Sequence, residues 1–402
     1  MNKSSLQTPK GFRDFLPEAA RKRSFLLGKM VAEFAKFGFE PLETPALEYA
    51  EILKGKYGEE EKLIYEFEDR GGREVALRYD QTVPLARVMA QYPNLTKPFK
   101  RYQIQPVWRA ENTQAGRFRE FLQVDIDTVG TTSLLADAEV ILAAASVLKA
   151  IGFEKFTFKI NDRSLFTSLP KAIVVALDKL DKIGEVGVVE QIKKQGFNQR
   201  AALETLEKIK GAAPTEAINE LFDLLEACGL PKENFAFYPT LARGLDYYTG
   251  AIIEVEIEGY GSGSVGGGGR YDKLIGIFGK ETVPAVGFSF GFDRLLEAAE
   301  ENGLLPKAGS STQVLVTIFE AKYLVNSLEL VNELRKRGIN SEIYLDPNAK
   351  LDKQLKYADQ KKIPFVAFLG PEEIKEEKIT LKDFSTQKQE TLTLANLVKK
   401  IK

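Results

Sequence analysis

The chain has 402 residues, too many for one compact core, so two or three domains are expected. Hydrophobic residues make up 44% and charged residues 28%, with a formal net charge of −1. This is an ordinary globular balance, and any nucleic-acid-binding face has to be local. One cysteine, Cys228, and no histidine exclude an intrachain disulfide, a Ser–His or Cys–His nucleophile pair and a His/Cys zinc site.

Acid–base work is left to Asp, Glu, Lys or Tyr, and any metal is expected to be a hard, oxygen-bound ion such as Mg²⁺. No apolar run reaches the roughly 18 residues of a membrane span. The N-terminal "MNKSSLQTPKGFRDFLPEAARKR" lacks the apolar stretch of a secretory signal, so a cytoplasmic protein with no membrane partner is expected.

In chain order, Glu18 to Phe37 reads as a helix, with Leu27, Met30, Val31 and Phe34 at helical spacing and Gly38 as a stop. "FEPLETPALE" reads as extended, limited by Pro41 and Pro45. "VALRYDQTVPLARVMAQ" predicts a strand, a turn and a helix from about Thr82. "KRYQIQPVWRAE" and "REFLQVDIDTVG" predict two long strands joined by the polar loop "NTQAGR", an antiparallel hairpin. A helix over "LLADAEVILAAASVLKAIG" and a strand at "KFTFKI" follow, and residues 165–235 read as a charged helical insertion. Strands resume at "AIIEVEIEG", meet four consecutive glycines at Gly266 to Gly269, and reach the strand and helix of "AVGFSFGFDRLLEAAEENG". Beyond residue 310 the βαβαβ alternation of "QVLVTIF", "SEIYL" and "IPFVAFLG" with two helices predicts a small α/β domain with a mainly parallel sheet.

Arginines cluster at candidate strands and loop ends: Arg101, Arg109, Arg117, Arg119, Arg243, Arg270 and Arg294. Their planar fork suits phosphate or carboxylate. In "VWRAE", Arg109 and Glu111 would share one face of a strand, either as a nucleotide site or as a structural ion pair. "RGLDYYTG" places Arg243 and Asp246 beside Tyr247 and Tyr248, which could form a flat polar pocket or pack at a strand end. The glycine run matches neither the P-loop pattern nor the spaced glycines of a dinucleotide turn. It is left as a flexible turn or a close approach of backbone to a ligand or strand.

Six of these segments, in this order, resemble the histidyl-tRNA synthetases of class II. "TPKGFRDFLPEAARKR" is similar to the family's N-terminal signature. "FEPLETPALE" resembles motif 1, with Pro45 at the family's dimer interface, "VWRAENTQAGRFREF" motif 2, and "AVGFSFGFDRL" motif 3. "RGLDYYTG" and "SVGGGGRYD" are similar to the two peptides particular to the histidyl branch, and "KLDKQLKYADQKKIPFVAFLG" to its anticodon-binding domain. The resemblance implies an α+β fold: a six-stranded antiparallel sheet with flanking helices in a catalytic domain over 1–310, the helical insertion at 165–235, and an α/β anticodon-binding domain over 311–402. It also implies a homodimer that joins L-histidine to ATP, releases pyrophosphate and passes the histidyl group to tRNA(His), with Mg²⁺ bridging the outer phosphates.

By that resemblance Arg109 and Arg243 are the catalytic cations. Arg109 holds the α-phosphate, and Arg243 stabilises charge at the α-phosphate and carboxylate. Glu111 accepts from the adenine amino group, Arg117 reaches the terminal phosphates, and Arg294 and Phe121 sandwich the adenine. Asp80, Thr82 and Gln123 bind the α-amino group. Asp127 and Tyr248 contact the imidazole, with Tyr247 and Tyr271 nearby, and Gly267 and Gly268 leave room for the ring. Asp127 stands where some members carry glutamate, and Leu122 where a histidine or polar residue is common; Leu122 is expected to face away from Phe121 and Gln123. Gln114 is the candidate for the tRNA acceptor end. Lys350, Lys353 and Tyr357 share a helix that could face the anticodon stem or form a solvated face.

Two other readings compete. One is a non-catalytic, synthetase-like regulatory subunit of histidine biosynthesis, which lacks the C-terminal domain. The other is an RNA-binding regulatory protein with a vestigial core. The absence of histidine fits a synthetase whose own translation continues when histidine is scarce.

Overall fold

The computed structural model describes residues 6–113, 117–242, 247–261, 263–279, 281–306 and 309–402. They fall into two compact units, Met1–Asp14 with Lys22–Leu305 and Phe15–Arg21 with Pro306–Lys402. No described helix is long and apolar enough to cross a membrane.

The main sheet of the first unit contains β1 (Glu40–Pro41), β2 (Phe99–Trp108), β3 (Glu120–Val129), β4 (Phe156–Asp162), β5 (Phe235–Phe237), β6 (Ala251–Ile257), β7 (Gly266–Arg270) and β8 (Ala285–Gly291). Their spatial order is β1-β2-β3-β8-β7-β6-β4-β5. The six inner strands are antiparallel to every neighbour among themselves. The short edge strands β1 and β5 run parallel to β2 and β4. The expected six-stranded antiparallel sheet is thus present, with one short strand added at each edge.

β2 and β3 form the expected hairpin, paired from Phe99 opposite Val129 to Trp108 opposite Glu120. Period-2 alternation divides β3. Val124 and Ile126 enter the main core with Leu26, Met30 and Phe34 of the helix Pro17–Lys36 and the apolar face of the helix Leu134–Ile151. Leu122 packs against that core as well. Gln123, Asp125 and Asp127 are left on the opposite face. The helix Leu134–Ile151 starts where the Ser133 hydroxyl accepts from the Leu135 N–H, and it stops at Gly152, whose φ of 119° is costly for other residues.

The helical insertion divides in two. Lys171–Leu177, Leu180–Lys194 and Gln199–Lys210 share a core of Ile173, Leu177, Val188, Ile192, Ala202 and Leu206. The fourth helix, Glu216–Ala227, instead buries Ile218, Leu221 and Leu225 in the main core.

The second unit holds β9 (Val314–Val316), β10 (Ser341–Ile343), β11 (Phe365–Phe368), β12 (Ile379–Asp383) and β13 (Gln389–Leu392), in the order β10-β9-β11-β12-β13. β10, β9 and β11 are parallel, as the βαβαβ pattern predicts, and β12 and β13 add antiparallel strands.

Candidate active site

The polar face of β3 opens into a cavity of about 870 Å³ within the first unit. Its floor is an ionic lattice. Arg101, opposite Asp127 on the β2–β3 ladder, is wholly buried and reaches the Asp127 carboxylate at 2.7 Å. Tyr271 donates its hydroxyl to the other Asp127 oxygen. Burial raises the Asp127 pKa, and Arg101 and the Tyr271 hydroxyl act against the rise. Burial also pushes Asp125 up to about 7, opposed by Arg101, which lies 4.0 Å away, and reinforced by Asp127.

The glycines around this lattice serve the sheet. Gly287 faces Asp127 across the β3–β8 ladder, and a Cβ there would lie 1.9 Å from Asp127 Oδ1. The four-glycine run is the buried strand β7, not a turn. A Cβ on Gly268 would fall 2.0 Å from the Gly287 carbonyl oxygen, so glycine at 268 is required by the adjacent strand. Gly268 also lines the cavity, so the demand of the adjacent strand stands beside the expected room for an imidazole. Gly267 lines the cavity too.

"LRYDQTVP" supplies a second wall. Asp80 Oδ1 accepts from the Tyr57 hydroxyl at 3.0 Å and the Val83 N–H at 3.1 Å. Gln81, ahead of the helix Thr82–Gln91, donates to the Gln105 and Gln123 carbonyls and ties this turn to the sheet. Asp80 Oδ2, Gln123 Oε1 and Asp125 Oδ1 are among the buried acceptors with no hydrogen-bond partner among the described residues. Their residues all line the cavity. Unpaired buried acceptors are costly, so this end is built to receive donors. Tyr247, Tyr248 and Tyr271 close it, with ring centroids 5.0 Å apart for the first pair and 5.8 Å apart for Tyr247 and Tyr271.

Cations line the cavity as well. The Arg109 guanidinium lies 4.3 Å from the Tyr79 ring centroid and 5.2 Å from that of Phe121, and its Nε donates to the Tyr79 carbonyl. β2 stops at Trp108, so Arg109 and Glu111 lie just past the strand instead of on it; the Arg109 N–H still bonds to the Arg119 carbonyl. Glu111 and Arg117 face each other at 3.4 Å, and Arg119 donates to the Glu111 carbonyl. Arg294 donates to the Ser264 carbonyl at 3.0 Å from the first turn of the helix Phe292–Glu301.

The cavity brings together Asp80, Thr82, Arg109, Glu111, Arg117, Phe121, Gln123, Asp127, Tyr247, Tyr248, Gly267, Gly268, Tyr271 and Arg294. Two of the arginines read as anion ligands are structural. Arg101 belongs to Asp127, and Arg270 pairs with Asp137 and Asp272 and bonds to the Thr131 and Ser133 carbonyls. Arg243, Asp246 and Gln114 lie outside the described residues. Lys350 and Lys353 are exposed in the second unit, but Lys350 is the extended cap residue before the helix Leu351–Gln360, so it does not share that helix. Lys353 pairs with Asp346, and Tyr357 is half-buried against Tyr344. Sequence reasoning missed Tyr79, Asp125 and Gly287. The alternation Gln123-x-Asp125-x-Asp127 was the available signal for Asp125.

Residues 11–186 and 186–295 match the family model described as histidyl-tRNA synthetase, and residues 313–402 match the anticodon binding domain. The chain belongs to the histidyl-tRNA synthetase family. Among curated family members, the histidine–tRNA ligase of Cytophaga hutchinsonii is 41% identical with both chains fully covered. That of Christiangramia forsetii is 39% identical over 97% of each chain. Among solved structures, a histidyl-tRNA synthetase from a Nostoc species superposes with a TM-score of 0.86 at 30% identity, covering 98% of each chain. The family match extends through the anticodon-binding domain, which argues against the regulatory-subunit reading.

Proposed function

We propose that the cavity is where L-histidine and ATP are joined, with the amino acid at the Asp80–Gln123–Asp127 end and the nucleotide at the Arg109–Arg294 end. The chain is a histidine–tRNA ligase: it activates histidine as the adenylate and transfers it to tRNA(His). The observation that carries the residue assignment is the polarity of the cavity. Unpaired buried acceptors on Asp80, Gln123 and Asp125 line it, and so do the guanidinium groups of Arg109, Arg117 and Arg294.

The chemistry follows from that polarity. The histidine carboxylate is already ionised, so it attacks the α-phosphorus without a general base, and positioning and charge neutralisation carry the step. Asp80, Thr82 and Gln123 take the α-ammonium. Asp127, held by Arg101 and Tyr271, accepts from the imidazole N–H, with Tyr247, Tyr248 and Gly267 around the ring. Arg109 neutralises the α-phosphate, together with Arg243. Glu111 accepts from the adenine amino group and Arg117 turns to the outer phosphates, which separates their present ion pair. Phe121 and Arg294 stack on the base. Among the described residues no cluster of three acidic or cysteine side chains forms a metal cage. Mg²⁺ fits here because it keeps most of its waters and needs one or two carboxylates plus phosphate oxygens. Glu254 and, once released from its ion pair with Lys159, Glu256, at alternate positions of β6 on the cavity wall, would hold it, and it would neutralise the outer phosphates.

Gln114 and the exposed Lys350 and Lys353 are assigned to the tRNA, and the compartment is the cytoplasm. A homodimer is supported by a small three-stranded sheet, Leu47–Tyr49, Glu66–Glu68 and Glu74–Leu77, which aligns Leu47, Tyr49 and Phe67 at 43%, 53% and 47% exposure. An apolar row of that exposure marks an association face. The residue assignment is tested by Arg109→Ala in ATP–pyrophosphate exchange. The expected loss is about 10²–10³ in kcat with little change in the KM for histidine; a KM effect confined to histidine would move Arg109 to the amino-acid end.

A further inference from the structure

β3 carries a third cavity carboxylate that the roles above leave unused. Asp125 is 3% exposed, lines the cavity between Gln123 and Asp127, and presents Oδ1 without a hydrogen-bond partner among the described residues. The charged groups facing it come from three elements. Arg101 on β2 is 4.0 Å away but lies 2.7 Å from Asp127. Asp127 is on its own strand, and Asp80 stands in the turn before the helix Thr82–Gln91. Its ladder partners, Gln103 on β2 and Ser289 on β8, are neutral. Three carboxyl groups, Asp80, Asp125 and Asp127, therefore face two cations, Arg101 beside Asp125 and Asp127 and Arg109 acting on Asp80. The deficit is one positive charge, and an amino acid brings one as its α-ammonium.

We propose that Asp125 is a substrate-binding residue that shares the α-ammonium of histidine with Asp80 and passes a proton to solvent when the ammonium arrives. The inference rests on assigning this end of the cavity to the amino acid. Burial, with Asp127 and Asp80 beside it, pushes Asp125 up to about 7 against Arg101 and a hydrogen bond from Ser289, so its acid form is populated near neutrality. The incoming ammonium favours the carboxylate, and the O–H proton leaves as the charge pair forms. The chain has no histidine, so its own imidazoles do not titrate in this range. The substrate's imidazole does, and it is cancelled by comparing variant with wild type.

The test is the KM for histidine in ATP–pyrophosphate exchange from pH 6 to pH 8, for wild type, Asp125→Asn and Asp125→Ser. Asparagine keeps the shape and serine is a second neutral replacement; native folding of both is checked by circular dichroism. The ratio of variant to wild-type KM is expected to rise about tenfold across this interval, because only wild type gains a carboxylate. Calorimetry with histidinol at pH 7, in two buffers of different ionisation heat, is expected to give a larger proton release by wild type than by either variant. A KM ratio flat with pH, or equal proton release, overturns the proposal. Asp80→Asn separates the two levels of the argument. If it too leaves the histidine KM unchanged, the assignment of this end to the amino acid fails; if it raises KM while the Asp125 ratio stays flat, only the role of Asp125 fails.

Discussion

At the scale of residues, the site depends on which buried charges are already paired. Arg101 and Tyr271 fix Asp127 from two sides, and Gly287 leaves the space in which its carboxylate lies. Gly287→Ala puts a methyl carbon 1.9 Å from Asp127 Oδ1 and forces that carboxylate out of place. We expect a histidine KM at least about tenfold higher, a near-normal ATP KM, and a stability loss of about 1–3 kcal/mol by chemical denaturation. Equal effects on both KM values would count against Asp127 as the ring's acceptor. Asp80, Thr82, Gln123 and Asp127 were reached through the family resemblance of their segments, and all four line the cavity. The sequence could not sort the arginines, because the partner of Arg270, Asp137, is 133 positions away in the chain. Asp125 was passed over because an alternating strand accounts for a polar residue there without a ligand.

Among the elements, legibility followed length and pattern. The β2–β3 hairpin was readable from two ten-residue runs joined by a polar loop. β1 and β5, with two and three residues, carry too little pattern to be read. β12 and β13 are rich in charged and polar residues and resemble surface loop. The glycine run was ambiguous because its strand lacks side chains, and only the neighbouring backbone explains it. The helical insertion was visible as a block, but its division was not: Ile218, Leu221 and Leu225 report an apolar face without naming the surface that it covers. Because the first three helices share a core distinct from the main one, closed by Phe166, Ala242 and Ile252 of β6, Ile192→Ala is expected to cost about 2–5 kcal/mol locally. Hydrogen exchange should accelerate over 171–210 while histidine-dependent exchange of pyrophosphate persists. Protection lost equally through β2 and β3 would contradict a separate core.

For the molecule as a whole, the two matched domains supply the two tasks of a ligase acting on tRNA, activation and recognition. The exposed row of Leu47, Tyr49 and Phe67 gives the proposed dimer a physical basis. Tyr49→Glu combined with Phe67→Glu should shift the sedimenting species to the mass of one chain, since burying two unpaired carboxylates is costly. Unchanged dimer mass would place the interface elsewhere. The chain contains no histidine, so its synthesis draws on none of its own product. The central claim, that one cavity joins histidine to ATP, is tested most directly by ATP–pyrophosphate exchange with each of the twenty amino acids offered singly to the purified protein. The account predicts exchange with histidine and only background with the others. No exchange with histidine, or comparable exchange with a different amino acid, would contradict it.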